Sequence, residues 1–102
     1  MSILAGAGGD DAEDFVRMLL HMYTKFIESK GWQMRYLHEH TTAGGGYRNV
    51  TFEISGKNVY GALKYEAGVH RLVRISPFNA QGKRQTSFAM VEVMPSLADK
   101  DF

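Results

Sequence analysis

The stretch DAEDFVRMLLHMYTKFIESK, residues 11–30, decides how this chain folds. Ala12, Phe15, Val16, Leu19, Met22, Tyr23, Phe26 and Ile27 recur at steps of three and four, which draws one continuous apolar stripe on an α-helix. Arg17, His21, Thr24, Lys25 and Glu28 fall mostly on the other side. Asp10 stands at the N-cap position, and Asp11, Glu13 and Asp14 place negative charge in the first turn, where it complements the helix dipole. Gly31 is a good C-terminal stop. A helix with such a stripe needs an apolar surface to lie on.

The flanking residues supply strands for that surface. Ile3-Leu4-Ala5 reads as a short strand running into Gly6-Ala7-Gly8-Gly9. This glycine run resembles a phosphate loop but lacks its Lys-Ser/Thr ending, Asp11 stands where a third glycine belongs, and four acids follow. The better readings are a tight strand-to-helix turn, or a place where a base or a backbone approaches closely. Trp32 to His40 alternates bulky and polar residues, and Arg48 to Ser55 puts Val50, Phe52 and Ile54 on one face. With the turn Ala43-Gly44-Gly45-Gly46 they form a hairpin. Val59 to Glu66 reads as about two helical turns weakened by Gly61. Val69 to Ile75 is extended or strand-like, and Ser76-Pro77 breaks it. Residues 78–85 read as a polar loop, Thr86 to Met94 as a last strand, and Pro95 to Phe102 as a frayed tail. The expected order is β-α-β-β-α-β. This predicts an α+β fold: a plait-like two-layer sandwich with a mainly antiparallel sheet and one long amphipathic helix.

Composition narrows the function. The 102 residues are enough for one domain. The absence of cysteine excludes a disulfide scaffold, a thiol nucleophile and a cysteine zinc site. No apolar run approaches a membrane span, and Met1-Ser2-Ile3-Leu4 lacks the basic region of a signal peptide. The net charge of +1 conceals an asymmetry. Residues 1–31 carry the acids Asp10, Asp11, Glu13, Asp14 and Glu28 against Arg17, Lys25 and Lys30, whereas residues 64–84 carry Lys64, Arg71, Arg74, Lys83 and Arg84 against Glu66 alone.

No Gly-x-Ser-x-Gly, triad spacing or carboxylate pairing points to catalysis. His38 and His40 share a strand face and form half of a metal site with nothing near in sequence to complete it, so a small metal enzyme is a weak reading. The segment Arg71 to Phe88 carries more information. Arg71, Arg74, Lys83 and Arg84 are interleaved with the hydroxyls of Ser76, Thr86 and Ser87 and the rings of Phe78 and Phe88. Cations hold phosphates, hydroxyls contact base edges and rings stack. A solvated loop on an ordinary sheet is the plainer alternative, and His70 is either a packed histidine or an RNA contact.

One resemblance is specific. Gly68-Val69-His70-Arg71-Leu72-Val73-Arg74-Ile75-Ser76-Pro77-Phe78 resembles the codon-reading segment of the bacterial class I peptide chain release factors. Ala5-Gly6-Ala7-Gly8-Gly9 and Lys83-Arg84-Gln85-Thr86-Ser87-Phe88 match the same family in the same order, so the resemblance covers about residues 2–97. Ser76-Pro77-Phe78 resembles the tripeptide of the release factor 2 branch, which reads UAA and UGA; the sister branch, reading UAA and UAG, carries Pro-x-Thr.

The resemblance implies that Ser76, Pro77 and Phe78 lie at the second codon base, that Gly8 and Asp11 sit beside the first uridine, and that Gln85 and Thr86 read and separate the second and third bases. His70, Arg71, Arg74, Lys83 and Arg84 would contact RNA backbone. A serine hydroxyl both donates and accepts, so it suits the amino group of adenine and the carbonyl of guanine alike. Gln85 replaces the histidine of many members, and Asp11 a more usual glutamate. The hydrolytic Gly-Gly-Gln motif is absent. The resemblance therefore implies a non-enzymatic stop-codon recognition domain over residues 1–102, with an N-terminal domain and a hydrolysis domain outside it. The implied partners are the small-subunit decoding site, the message stop codon and ribosomal RNA, in the cytoplasm. No cofactor, membrane or small-molecule substrate is implied. A codon-insensitive rescue factor that only docks on the ribosome is the alternative, suggested by Gln85 and opposed by Ser76-Pro77-Phe78.

Overall fold

The computed structural model describes residues 1–78 and 84–95. The expected tail beyond Pro95 and the middle of the expected polar loop lie outside these residues. Eight elements follow in chain order: β1 (Ser2–Ala5), α1 (Asp10–Ser29), β2 (Gln33–Thr41), β3 (Tyr47–Ser55), α2 (Val59–Leu63), a 3-10 turn (Lys64–Glu66), β4 (Gly68–Ile75) and β5 (Arg84–Glu92). The extended segment before Ser76 is thus a full strand, which adds one β element to the expected order. The strands form a single five-stranded antiparallel sheet in the order β2-β3-β1-β5-β4.

β1 is only four residues long but lies at the centre. Ile3 faces Val50 of β3 and Val91 of β5 and is fully buried with them. Phe52 and Ala89 extend this apolar patch, and α1 covers it with Phe15, Val16, Leu19, Leu20, Tyr23 and Ile27. The buried stripe differs from the expected one. Leu20 is inside, while Met22 and Phe26 are on the rim. Phe26 meets the edge of Trp32 at 5.8 Å between ring centres, and the Lys30 ammonium lies 5.4 Å from its ring centre. An amphipathic stem can shield a rim ring in this way.

The N-terminal turn also departs from expectation. Gly9, not Asp10, occupies the cap position, and no side chain caps the helix. Gly6 and Ala7 instead prolong the pairing with β5: the Gly6 N–H donates to the Phe88 carbonyl at 2.8 Å, and the Phe88 N–H to Ala7 at 3.0 Å. Gly8 then turns the chain at φ 129°, and a Cβ there would sit 3.2 Å from Ser87 Cα. Only glycine meets both conditions. The close approach foreseen for the glycine run is therefore one of backbone onto β5.

The β2–β3 turn rests on the first turn of α1. A Cβ on Gly46 would lie 2.6 Å from the Glu13 backbone, whereas one on Gly44 would meet nothing within 4 Å. Gly46→Ala is expected to lower stability by about 1–3 kcal/mol, measured by urea unfolding. Gly44→Ala is expected to stay within about 0.5 kcal/mol. Equal effects would show that the turn does not bear on the helix.

Candidate functional site

Strand alternation sorts the residues singled out in the sequence. In the β4–β5 ladder His70 faces Ala89, Leu72 faces Ser87 and Arg74 faces Gln85, and Ala89 and Ser87 are buried toward α1. Arg71 faces Phe88, Val73 faces Thr86 and Ile75 faces Arg84 on the outer side. The single basic segment expected from sequence is therefore divided. Arg71 and Arg84 are exposed on one face of the sheet; His70 and Arg74 belong to the other. Gln85 and Thr86 are likewise parted, because successive strand residues point to opposite faces. Lys83 lies outside the described residues.

Arg74 is engaged within the protein. Its Nη2 donates to Asp14 Oδ2 at 2.7 Å and to Asp11 Oδ1 at 3.2 Å. The two aspartates stand three apart on α1, so their side chains share a helix face. Arg17 Nε donates to the other Asp14 oxygen at 2.8 Å. Asp11 Oδ2 accepts the Ser76 hydroxyl at 2.6 Å, and Ser76 Oγ accepts the Phe78 N–H at 3.0 Å. Asp11, Asp14 and Ser76 are 7%, 8% and 3% exposed. Buried carboxylates are tolerable only when paired and hydrogen-bonded, and here two guanidiniums and a hydroxyl do this.

The consequence for Ser76 is specific. Its proton is donated inward to a carboxylate, and one lone pair is occupied by the turn it begins. Pro77 and Phe78 project from this anchor and are exposed. Gly8 is exposed at the head of α1. Gly8, Asp11, Ser76, Pro77 and Phe78 thus share one corner, with Arg74 and its partner Gln85 beside them. His70 is held elsewhere: its Nε2 lies 2.7 Å from the Glu66 carbonyl, to which it must donate. Tyr23 donates to the Glu66 carboxylate at 2.8 Å. Burial, then the Glu66 hydrogen bond and charge, push the Tyr23 hydroxyl well above the ordinary tyrosine range.

Asp14 was not singled out from sequence, although its spacing from Asp11 carried the signal. Ser87, buried under Gly8, had none. His38 and His40 do share a face of edge strand β2, opposite Thr51 and Asn49. Among the described residues no three His, Asp or Glu side chains form a metal cluster, and no helix is long and apolar enough to cross a membrane. An apolar groove of about 410 Å³ lies at the far end of the sheet, lined in part by Met1, Phe52, Val59, Leu63 and Val93.

Burial alone would raise the Asp14 pKa, but the hydrogen bonds and charges of Arg17 and Arg74 outweigh it and hold the carboxyl below its ordinary value of 3.8. A carboxylate depressed in the folded state adds stability above its unfolded pKa and loses it as pH falls through the folded one. Stability is therefore expected to drop on acidification below about pH 4, and Asp14→Asn to flatten that drop. Urea midpoints against pH check this; parallel acid limbs would show that Asp14 is not the responsible group.

Comparison with known proteins identifies the family of the chain. The PCRF domain model matches residues 1–91. Peptide chain release factor 2 of Clostridium perfringens is 50% identical over 99% of this chain and 28% of its own length. That of Chloroflexus aggregans is 50% identical over 97% of this chain and 27% of its own. RF2 of Thermus thermophilus superposes with a TM-score of 0.92 at 46% identity, covering 98% of this chain and 28% of that one. The chain thus spans a little over a quarter of these relatives. With its fold and sequence matched along nearly its full length, it belongs to the PCRF domain family, in the form carried by bacterial release factor 2.

Proposed function

We propose that residues 1–102 are the stop-codon recognition domain of a translation termination factor, reading UAA and UGA in the small-subunit decoding site. The carrying observation is the anchored corner. Ser76 is tied to the start of α1 through Asp11, so Ser76-Pro77-Phe78 and Gly8 form one rigid surface although 65 residues separate Ser76 from Asp11. A single surface can meet consecutive bases of one codon. Gly8, with Asp11 beneath it, faces the first uridine, Ser76 to Phe78 the second base, and Gln85 and Thr86, from opposite faces of β5, the second and third. Arg71 and Arg84, exposed on the outer face, meet RNA phosphates. Arg74 and His70 serve from within, Arg74 by holding Asp11. The intact factor, acting in the cytoplasm, carries out peptidyl-tRNA hydrolysis through a part outside residues 1–102.

The inward proton of Ser76 refines the base preference. The lone pair that the Asp11 and Phe78 bonds leave over suits the 6-amino group of adenine. Guanine offers a carbonyl there, so the hydroxyl must turn its proton outward and give up the 2.6 Å bond to Asp11. Hydrogen bonds to charged groups contribute about 1.5–3 kcal/mol. Partial compensation leaves an expected preference for UAA over UGA on the order of tenfold.

The test is peptide release by a full-length factor carrying this domain on UAA, UGA, UAG and a sense codon. Ser76→Ala is expected to weaken release on UAA and UGA together, and Asp11→Asn to narrow the gap between them. Equal release on all four codons by the unaltered factor would overturn codon reading. A UAG rate above the UGA rate would overturn the release factor 2 assignment. Arg71→Ala and Arg84→Ala are each expected to weaken RNA binding without changing the codon ratio and to reduce its salt slope by about one. Salt-independent binding would remove the phosphate contacts.

A further inference from the structure

Two buried polar atoms beside this corner have no hydrogen-bond partner among the described residues: Nε of Arg74 and Oγ of Ser87. The role proposed above uses neither. Ser87 is 1% exposed and sits under the turn before α1, where a Cβ on Gly8 would lie 3.3 Å from its Oγ. Because Leu72 faces Ser87 and Arg74 faces Gln85, Arg74 and Ser87 are diagonal neighbours on the helix-facing side of the ladder. Diagonal neighbours have their Cβ atoms roughly 7 Å apart. One atom is an obligate donor; the other accepts and donates. Each lowers stability if it stays buried and unpaired, and native proteins satisfy such groups directly or through ordered water.

We infer that Ser87 is a positioning residue for Arg74, and that one ordered water molecule joins Arg74 Nε–H to Ser87 Oγ. The remaining edges of the guanidinium are already engaged. Nη2 is on Asp11 and Asp14, and Nη1 points at Met18 Sδ at 3.5 Å. A water accepting from Nε–H fixes the last edge, and Ser87 fixes the water. Arg74 is then held from the sheet side as well as from the helix side. It keeps Asp11 in the orientation that receives the Ser76 proton. Alanine at position 87 would fill nearly the same space beneath Gly8 and leave the Nε edge of Arg74 without its link to the sheet, with Arg74 held from the helix side alone. The importance of this link for codon reading rests on the function proposed above; the link itself does not.

Nuclear magnetic resonance of the 102-residue chain tests it without any codon. The Arg74 Nε–H resonance, assigned by its loss in Arg74→Lys, is expected to exchange slowly and to show cross-relaxation with a bound water. Ser87→Ala is expected to abolish both signals and to lower the melting temperature. The double variant Ser87→Ala, Arg74→Lys is expected to lose less than the two single losses added together, since each removes the same link. An unchanged Nε–H signal in Ser87→Ala, a raised melting temperature or strict additivity would overturn the proposal. Codon ratios in the release assay judge the reading function separately, so failure of one result is not failure of the other.

Discussion

Arg74 lies between two buried carboxylates, and the arrangement of the corner depends on it. Asp11 and Asp14 occupy positions one turn apart on the buried side of the start of α1, where two like charges are unfavourable without a cation. The helix dipole welcomes them in part, and Nη2 of Arg74 reaches both at once. Burial by itself would lower the Arg74 pKa, yet hydrogen bonds and charge from Asp14 and Asp11 raise it above its usual value, so the cation is permanent. Lysine would lack the further donor that Arg74 points at Met18 Sδ. Ser76 follows the end of β4, two residues after Arg74, and its hydroxyl meets the same Asp11.

The division of the basic segment follows from that period. Arg71 and Arg74 are three apart, an odd step, so they cannot share a face of β4. One is exposed to solvent and the other is drawn under the helix. A cluster of positive charge in a sequence is thus not a patch until its secondary structure is known. The same rule parts Gln85 from Thr86, and a bulge between Tyr36 and His38 moves His38 and His40 to the face opposite the one their alternation suggests.

Much of the architecture was legible because it rests on local periodicity. The stripe of α1, the alternation of β3 and the turns at Gly31 and residues 43–46 follow from one or two torsional preferences each. What periodicity left open was the width of the buried stripe. Leu20 replaces Met22 and Phe26 inside because the sheet covers only part of the helix circumference, and Trp32 packs on Phe26 at the rim. The helix cap was misplaced for a related reason: Asp10 is a good cap in isolation, but continued pairing of Gly6 and Ala7 with Phe88 sets where the helix begins.

The sequence by itself determined that one long amphipathic helix lies on a mainly antiparallel sheet, and that a Ser-Pro-Phe tripeptide follows a basic strand. These follow from neighbours along the chain, whose preferences are local. Only the tertiary structure decided that Asp11 and Ser76 meet at 2.6 Å, that Arg74 faces inward to Asp14, and that Ser87 is sealed beneath Gly8. Those pairings join residues 60 or more positions apart. They depend on the order in which five strands pair, and no periodicity in a single stretch encodes that order.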